Sequence, residues 1–181
     1  GNAAYHKDGS ALWYNGEEDG TTAVGDFDLD GDPEIVVSGG GNLRLQDHTG
    51  AVLWGPIDTL GDSSNGAPPT VADFDGDGLP EIGIADKYYY QVYDGDGSLL
   101  WSHETTETSS GITGSTVFDF NGDGTAEVVY GDEETFFIFE GPTGTILFQE
   151  EEHSSRTQVE YPVVVDVNGD GSADIVLPSN C

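Results

Sequence analysis

The chain has 181 residues, of which 35 are Asp or Glu and only four are Lys or Arg, so its formal net charge at pH 7 is -31. Nucleic acids and anionic membrane surfaces are bound by basic faces, and this composition therefore predicts that the chain binds neither of them. No apolar run approaches the roughly 18 residues of a membrane span. Because the first residue is Gly1 rather than Met, we expect a mature or excised segment.

The first segment with a strand pattern covers residues 4–13 and contains the hairpin signal Asp8-Gly9. A longer unit then recurs along the chain. It consists of an apolar strand A, an acidic loop, a β-rich strand B, a strand C, a glycine turn and a strand D. Trp13, Trp54 and Trp101 occupy one place in strand D, four residues after a turn glycine, and this recurrence predicts that they lie in the core.

The acidic loops are nine residues long, and we number them loop 1 to loop 4 in chain order. Side-chain oxygens at positions 1, 3, 5 and 9, a carbonyl at position 7 and a glycine at position 6 are typical of a calcium site. The predicted ligands are Asp26, Asp28, Asp30, Asp32 and Glu34 in loop 1, Asp73, Asp75, Asp77, Leu79 and Glu81 in loop 2, Asp119, Asn121, Asp123, Thr125 and Glu127 in loop 3, and Asp166, Asn168, Asp170, Ser172 and Asp174 in loop 4. The sequence thus predicts four Ca²⁺ sites. Loop 1 has the most carboxylates, and loops 3 and 4, with one Asp replaced by Asn, are expected to bind more weakly.

The EF-hand is the alternative motif, because it shares positions 1, 3, 5 and 6 but takes a bidentate Glu at position 12 between two helices. Position 12 here is Val37, Ile84, Tyr130 or Leu177, and it lies in a short β-rich run. These runs are strand signals, so the EF-hand does not fit. A solvated acidic turn without metal explains one loop but not four loops in register.

The first residues of the four loops are 47, 46 and 47 positions apart. A period of that size with four short strands per unit is typical of β-propeller blades. The sequence therefore predicts an all-β fold, a β-propeller of four blades in a single domain, residues 1–181. Blades one to three are predicted at approximately residues 21–55, 68–102 and 114–149.

The fourth unit stops after strand B, whereas the chain begins with an isolated strand C and strand D. Joining the two ends makes the spacing from Asp174 to Gly9 16 residues, the value found in the first two units. We therefore expect blade four to be split between residues 1–14 and 159–181 and to be closed by the N-terminal strands. A piece of a larger propeller, or chains that exchange half-blades, are the alternatives.

The loops and their flanks resemble the FG-GAP repeat family, which includes bacterial proteins and the propeller of integrin α-subunits. The resemblance rests on the frame V-x-D-F-[DN]-x-D-G-x-x-[DE]-[IV] and on Gly66-Ala67-Pro68 before strand A of blade two. The Phe-Gly half of the signature is missing, and four repeats are present where the family usually has seven. The resemblance implies an extracellular, calcium-stabilised propeller that binds a protein or a glycan.

For function, we expect a binding or adhesion module that is not an enzyme, since the loop acids are already used as ligands and Cys181 is the only thiol. Its protein or glycan ligand is expected on the face opposite the calcium loops, which the long connectors 55–69, 102–115 and 149–162 help to build. An exposed ring among Tyr88-Tyr89-Tyr90 is a candidate carbohydrate contact.

Two further functions remain open at this stage. The first is a structural subunit of a surface layer or fibre, which self-associates through the split-blade termini. The second is a carbohydrate-active, polysaccharide lyase-like domain, for which His153, Arg156 and Tyr161 lie closest together in sequence.

Overall fold

The computed structural model describes residues 1–61, 66–108, 112–151 and 161–178. Within these ranges there are sixteen β-strands, and no helix has the length and apolar character that a membrane span needs. The strands are β1 (Ala3–Tyr5), β2 (Ala11–Tyr14), β3 (Thr21–Gly25), β4 (Glu34–Gly39), β5 (Asn42–Gln46), β6 (Val52–Asp58), β7 (Thr70–Ala72), β8 (Glu81–Asp86), β9 (Tyr89–Tyr93), β10 (Leu99–Glu104), β11 (Thr116–Phe118), β12 (Glu127–Gly131), β13 (Phe136–Phe139), β14 (Ile146–Glu150), β15 (Val163–Val165) and β16 (Asp174–Val176).

Twelve of these strands form three four-stranded antiparallel sheets in which each strand pairs with the next along the chain. We call them blade 1 (β3–β6), blade 2 (β7–β10) and blade 3 (β11–β14). The N-terminal hairpin (β1–β2) and the C-terminal hairpin (β15–β16) are two-stranded sheets. The first strands of successive sheets, β3, β7, β11 and β15, contact one another in chain order. The sheets therefore stack side by side as propeller blades do, which confirms the all-β, propeller-like part of the prediction.

The core lies between the blades, because strands β4, β5, β8, β9, β12 and β13 are covered on both faces while the outer strands are largely exposed. Two apolar clusters fill the two gaps. The cluster between blades 1 and 2 contains Phe27, Val36, Leu43, Leu45, Ile82, Ile84 and Tyr93. The cluster between blades 2 and 3 contains Ala67, Phe74, Ala85, Tyr90, Val92, Trp101, Val128, Tyr130, Phe137 and Phe139. Large aromatic rings make up much of the second cluster, and they contribute large buried areas.

The recurring tryptophans join each sheet to the following one. The indole N–H of Trp101 donates to the Gly141 carbonyl at 2.6 Å, and its ring covers Gly144. A Cβ at Gly144 would lie 2.4 Å from that ring, and the residue has φ +67°, so a larger residue does not fit there. Trp54 makes the equivalent contacts with the turn of blade 2, and Trp13 with the turn of blade 1. The prediction that these tryptophans pack in the core is confirmed most fully for Trp101, which is buried.

The closure of blade four by the N-terminal strands is not confirmed. Among the described residues the two terminal hairpins are separate sheets, and no pairing joins them. The physical reason lies in their contacts: the N-terminal hairpin is held by blade 1, where Arg44 and Gln46 donate to the Gly1 carbonyl at 3.5 and 3.1 Å. The C-terminal hairpin is held by β11 of blade 3. Each hairpin thus packs against the blade next to it in the chain, and these contacts do not bring the two chain ends together.

Candidate metal sites in the four acidic loops

Each acidic loop connects the first strand of a sheet to the second, so all four lie at the same end of the stacked sheets. The acidic residue at position 9 begins the second strand, and in the three complete blades it is buried. One oxygen of this carboxylate accepts the backbone N–H of position 2: at 2.8 Å from Phe27 to Glu34, 2.6 Å from Phe74 to Glu81, and 2.7 Å from Phe120 to Glu127. This bond ties both ends of the loop together.

Backbone hydrogen bonds orient the other acidic side chains of loop 2. Asp73 accepts the N–H of Gly76 at 2.7 Å on one oxygen and that of Gly78 at 3.1 Å on the other. One oxygen of Asp75 accepts the backbone N–H of Asp77, and one oxygen of Asp77 accepts that of Leu79. Asp73, Asp75, Asp77 and Glu81 each place an oxygen within 4.8 Å of the others. Four anionic oxygens at this separation are the hard ligand set that Ca²⁺ prefers.

Loop 1 gathers a smaller set. Its oxygens within 4.8 Å of one another come from Asp26, Asp28 and Glu34, while Asp30 and Asp32 lie outside the set. The Oδ1 atom of Asp26 is buried and has no hydrogen-bond partner, although the equivalent oxygen of loop 2 accepts a glycine N–H. A buried carboxylate oxygen needs a partner, and a cation would supply one, so these residues fit a metal ion. By this geometry loop 2 has the fullest set of acidic oxygens, although loop 1 has the most carboxylates in the sequence.

Loops 1 and 2 also differ at position 4. In loops 2, 3 and 4 this residue is a glycine with positive φ, whereas in loop 1 it is Leu29, with φ +57°. A left-handed conformation costs a residue with a Cβ about 1 to 2 kcal/mol. The leucine is visible in the sequence, whereas its left-handed backbone is seen only in the structure.

In loop 3 the side-chain amide occupies part of the place that carboxylates fill in loop 2. The Asn121 amide N–H₂ donates to Asp123 at 2.9 Å and to Glu127 at 3.1 Å. A cation at this place would have to displace the amide, so the predicted weaker binding has a physical basis. Loop 4 is exposed, and backbone N–H groups hold the pKa of Asp166 and Asp170 below their usual range. Neither loop brings three acidic oxygens within 4.8 Å, as judged over the described residues.

The metal-free cluster of loop 2 is electrostatically unfavourable. Burial is the main cause that raises the pKa of Glu81 to about 7; the N–H donors of Phe74 and Asp75 act against it, and the nearby charges of Asp75 and Asp73 add to it. Burial, followed by the loop carboxylates, also raises the pKa of Glu34. A divalent cation would relieve this repulsion, because it would favour the charged form of each carboxylate.

In the metal-free protein we expect the free energy of unfolding to fall as the pH rises from about 5 to about 8. Glu81 has a pKa of about 7 in the fold and an ordinary value of 4.5, so the folded chain holds the proton more tightly in this window. Its contribution is fully present below pH 4.5 and is lost as the pH passes about 7. Melting curves at both pH values in metal-stripped buffer measure the effect.

The Glu81→Gln protein is the control for this measurement, because the amide oxygen can still accept the N–H of Phe74 but carries no titrating proton. The difference in melting temperature between the two pH values should be smaller in the variant than in the wild type. A pH response of the same size in both proteins would contradict the assignment to Glu81.

Stacked four-stranded sheets with an acidic loop between the first two strands define a propeller-type repeat protein. The chain belongs to the FG-GAP-like repeat family, whose model matches residues 26–84 and 119–177. The predicted resemblance is therefore confirmed. None of the curated protein sequences matches this chain.

Solved structures support the fold. The Vibrio cholerae biofilm matrix protein Bap1 matches with a TM-score of 0.79 and 17% identity over 99% of this chain and 57% of that chain. BamB from Moraxella catarrhalis matches with a TM-score of 0.60 and 19% identity over 89% of this chain and 49% of that chain. The rhamnogalacturonan lyase PL11 from Bacillus licheniformis matches with a TM-score of 0.54 and 19% identity over 98% of this chain and 42% of that chain. This chain thus spans about half of each of these three structures, and the likeness shows the fold alone.

The other predicted functional residues are distributed as follows. Tyr90 is fully buried between blades 2 and 3, and Tyr88 is exposed in the turn between β8 and β9. His153 and Arg156, which the lyase hypothesis needs, lie outside the described residues, as do parts of all three connectors. Tyr161 is exposed.

Proposed function

We propose that this chain is a calcium-stabilised binding module that adheres to a protein or a glycan outside the cell. The observation that carries the proposal is the cluster of Asp73, Asp75, Asp77 and Glu81 in loop 2. Its buried member begins β8, so a cation there would join the loop to the blade core, which is a stabilising role. We propose that loops 1, 3 and 4 bind calcium by the same ligand positions, giving four sites.

An extracellular location suits this chemistry. Calcium modules outside cells have dissociation constants of about 10⁻⁴ to 10⁻³ M, which millimolar calcium saturates. Four Ca²⁺ ions would carry eight positive charges and reduce the formal charge from -31. The remaining negative charge keeps such a chain soluble and repels anionic surfaces. That a matrix protein such as Bap1 has a similar fold makes adhesion in a matrix a reasonable function to test.

We propose that the ligand binds at the end of the blades opposite the loops, around Tyr88. This side chain is 44% exposed, and the Lys87 ammonium lies 5.2 Å from its ring centre. Its backbone is left-handed, with φ +72°, and is held by bonds from its N–H to Glu107 and from Thr105 to its carbonyl. Strained backbone that the surroundings enforce is concentrated at functional sites. A fixed, exposed ring beside a cation can stack on a sugar or on a protein side chain.

Binding to a glycan array and to an array of extracellular matrix proteins tests this function. We expect binding in millimolar calcium that is lost in excess chelator and at least about tenfold weaker for Tyr88→Ala, a loss of about 1.4 kcal/mol. Tyr5→Ala is the matched control, because Tyr5 is an exposed tyrosine of the N-terminal hairpin. Equal binding by the Tyr88→Ala protein, or no ligand on either array, would contradict the proposal.

A structural subunit is the second candidate, and the exposed strand β14 favours it. Leu147 and Phe148 are about half exposed there, and no described strand pairs with the outer edge of β14. Exposed apolar strand edges are pairing sites. Light scattering after size exclusion distinguishes the candidates: a subunit of a layer or fibre assembles as concentration rises, whereas a binding module stays monomeric.

Closure within one chain is also a proposal that can be tested. If the N-terminal hairpin completes blade four, deletion of residues 1–14 should lower the melting temperature strongly and cause aggregation. If the hairpin keeps the blade 1 contacts seen among the described residues, the loss should be limited to the Trp13 contacts and the bonds of Arg44 and Gln46 to the Gly1 carbonyl.

We propose that the chain is not an enzyme. The loop carboxylates are held by backbone donors in the arrangement of metal ligands, as described above. His103 packs against the rings of Phe137 and Phe139, and burial lowers its pKa. Both features suit a structural role better than proton transfer.

A further inference from the structure

A second cluster of oxygen atoms lies at the end of blades 2 and 3 that is opposite the acidic loops. Thr105 and Glu107 follow β10, while Tyr130 and Asp132 lie at the end of β12. We call these four residues the connector cluster. Tyr130 is 0%, Glu107 and Asp132 are each 2%, and Thr105 is 9% exposed. The length of β12, five residues, separates the cluster from loop 3 by about 15 Å, so the two sites are distinct.

Backbone hydrogen bonds fix the cluster in place. The N–H of Thr106 donates to Oδ2 of Asp132 at 2.7 Å, and the N–H groups of Glu134 and Thr135 donate to its Oδ1. The Thr113 hydroxyl donates to Oε2 of Glu107 at 2.8 Å. Two carboxylates are thus buried and oriented by the connector that joins blade 2 to blade 3.

The two hydroxyl groups of the cluster have no hydrogen-bond partner. The phenol oxygen of Tyr130 and Oγ1 of Thr105 are both buried, and they lie beside each other. Burial raises the pKa of Tyr130 well above its usual range, and the charges of Glu107 and Asp132 raise it further, so the phenol lies close to both carboxylates. A buried polar group without a partner costs about 1 to 3 kcal/mol.

The same place in the preceding blade has no such defect. Thr59 occupies the position of Thr105, since its N–H donates to the Gly41 carbonyl as that of Thr105 donates to Tyr88. The Thr59 hydroxyl donates to Asp86, which precedes Asp132 by 46 residues. The positions of Tyr130 and Glu107 are held there by Ile84 and Gly61. The fold therefore does not require the extra phenol and the extra carboxylate, which occur together in blade 3.

We propose that Thr105, Glu107, Tyr130 and Asp132 bind a divalent cation, for which calcium is the best candidate. The donor set consists of hard oxygens, and the two carboxylates balance the charge of one such ion. The hydroxyls would supply the neutral ligands, which would satisfy the two unpartnered atoms. Calcium accepts irregular sets of six to eight oxygens at about 2.3 to 2.6 Å, whereas Mg²⁺ demands a near-ideal octahedron. This ion would join the connector to the end of β12 and is independent of the loop sites.

Melting curves of the Tyr130→Phe protein test this inference, because the sign of the effect depends on the cation. In chelator the variant should melt at or above the wild-type temperature, since it lacks a buried phenol oxygen that has no partner. In millimolar calcium it should melt below the wild type, since a ligand is missing. The gain in melting temperature on adding calcium should therefore be smaller in the variant, and magnesium should not replace calcium.

Thr59→Val is the matched control, because the hydroxyl that it removes already has a partner in Asp86. The melting temperature of this variant should fall below that of the wild type by the same amount with and without calcium. The Thr105→Val protein provides a second test and should behave as Tyr130→Phe does. In addition, equilibrium dialysis against millimolar calcium should find one bound calcium fewer per chain in the Glu107→Gln protein than in the wild type.

Two results would overturn the inference. The first is a Tyr130→Phe effect that is equal in calcium and in chelator, which is what an ordered water in the cluster would produce. The second is an unchanged calcium content of the Glu107→Gln protein. Because all variants retain the four loops, calcium binding there cannot produce either difference.

Discussion

Replacing Asp77 with alanine is expected to weaken calcium binding by about tenfold or more, or at least about 1.4 kcal/mol. Asp77 belongs to the set of four acidic oxygens in loop 2, and removal of one anionic ligand from such a set lowers affinity through the charge count. Titration calorimetry of the wild-type and variant proteins measures the loss. The loss should appear in the tightest binding step, because loop 2 has the fullest ligand set.

Asp170→Ala in loop 4 is the matched control. Both substitutions remove one hydrogen bond of 2.8 Å from the N–H two residues further on, namely that of Leu79 in loop 2 and Ser172 in loop 4. The backbone loss is thus the same, and the difference between the variants reports on the metal ligands. A larger loss of affinity for Asp170→Ala would contradict the ranking of loop 2 above loop 4.

Replacing Trp101 with alanine is expected to lower the free energy of unfolding by about 3 to 5 kcal/mol. The indole is buried between blades 2 and 3, where its ring centre lies 5.8 Å from those of Tyr90 and Phe139. The substitution would leave a cavity between these rings and remove the bond to the Gly141 carbonyl. Because typical domains are stable by about 5 to 15 kcal/mol, this loss should be evident in urea or thermal unfolding.

The comparison protein for this experiment is Trp13→Ala. Trp13 makes the same two contacts with the next sheet, covering Gly50 and donating to the His48 carbonyl at 2.8 Å, but its hairpin is mostly exposed. The loss in free energy of unfolding should be clearly smaller for Trp13→Ala than for Trp101→Ala. Equal losses would show that burial between complete blades does not determine the contribution of the tryptophans.

The repeat unit could be predicted from the sequence because its determinants are local. Loop position 9 begins a strand in every unit, and the short apolar run after it matches the buried strands β4, β8 and β12. The glycine at position 6 takes the left-handed backbone in all four loops, as predicted. Local patterns of this kind repeat four times, so each copy supports the interpretation of the others.

The joining of the chain ends could not be predicted with the same success. Equal spacing indicates that the N-terminal hairpin corresponds to the missing half of a blade, but not which strands it meets. That depends on the angle between successive blades, which is determined by packing across the gaps, such as Trp101 on Gly144 and Trp54 on Gly97. Small changes in each gap accumulate along the array. Pairing between distant strands is therefore not encoded by the pattern of a single unit.

The connector cluster was missed because no motif marks it. Tyr130 lies at a position where blades 1 and 2 have Val37 and Ile84, and its place in a short apolar run indicates a core residue. The one available signal was a hydroxyl group at a core position, since buried polar groups need partners. Glu107 lies in a connector, where an acidic residue is ordinarily solvated, and only its burial in the structure makes it notable.

The calcium dependence of the melting temperature decides whether the four loops hold stabilising ions. With dissociation constants of about 10⁻⁴ to 10⁻³ M and millimolar calcium, each loop contributes roughly 0.4 to 1.4 kcal/mol by mass action. Four loops together contribute roughly 2 to 6 kcal/mol, or roughly 5 to 20 °C for a domain of this size. Excess EGTA is expected to lower the melting temperature by this amount, and added calcium is expected to restore it. A melting temperature that does not change in excess EGTA would contradict this expectation.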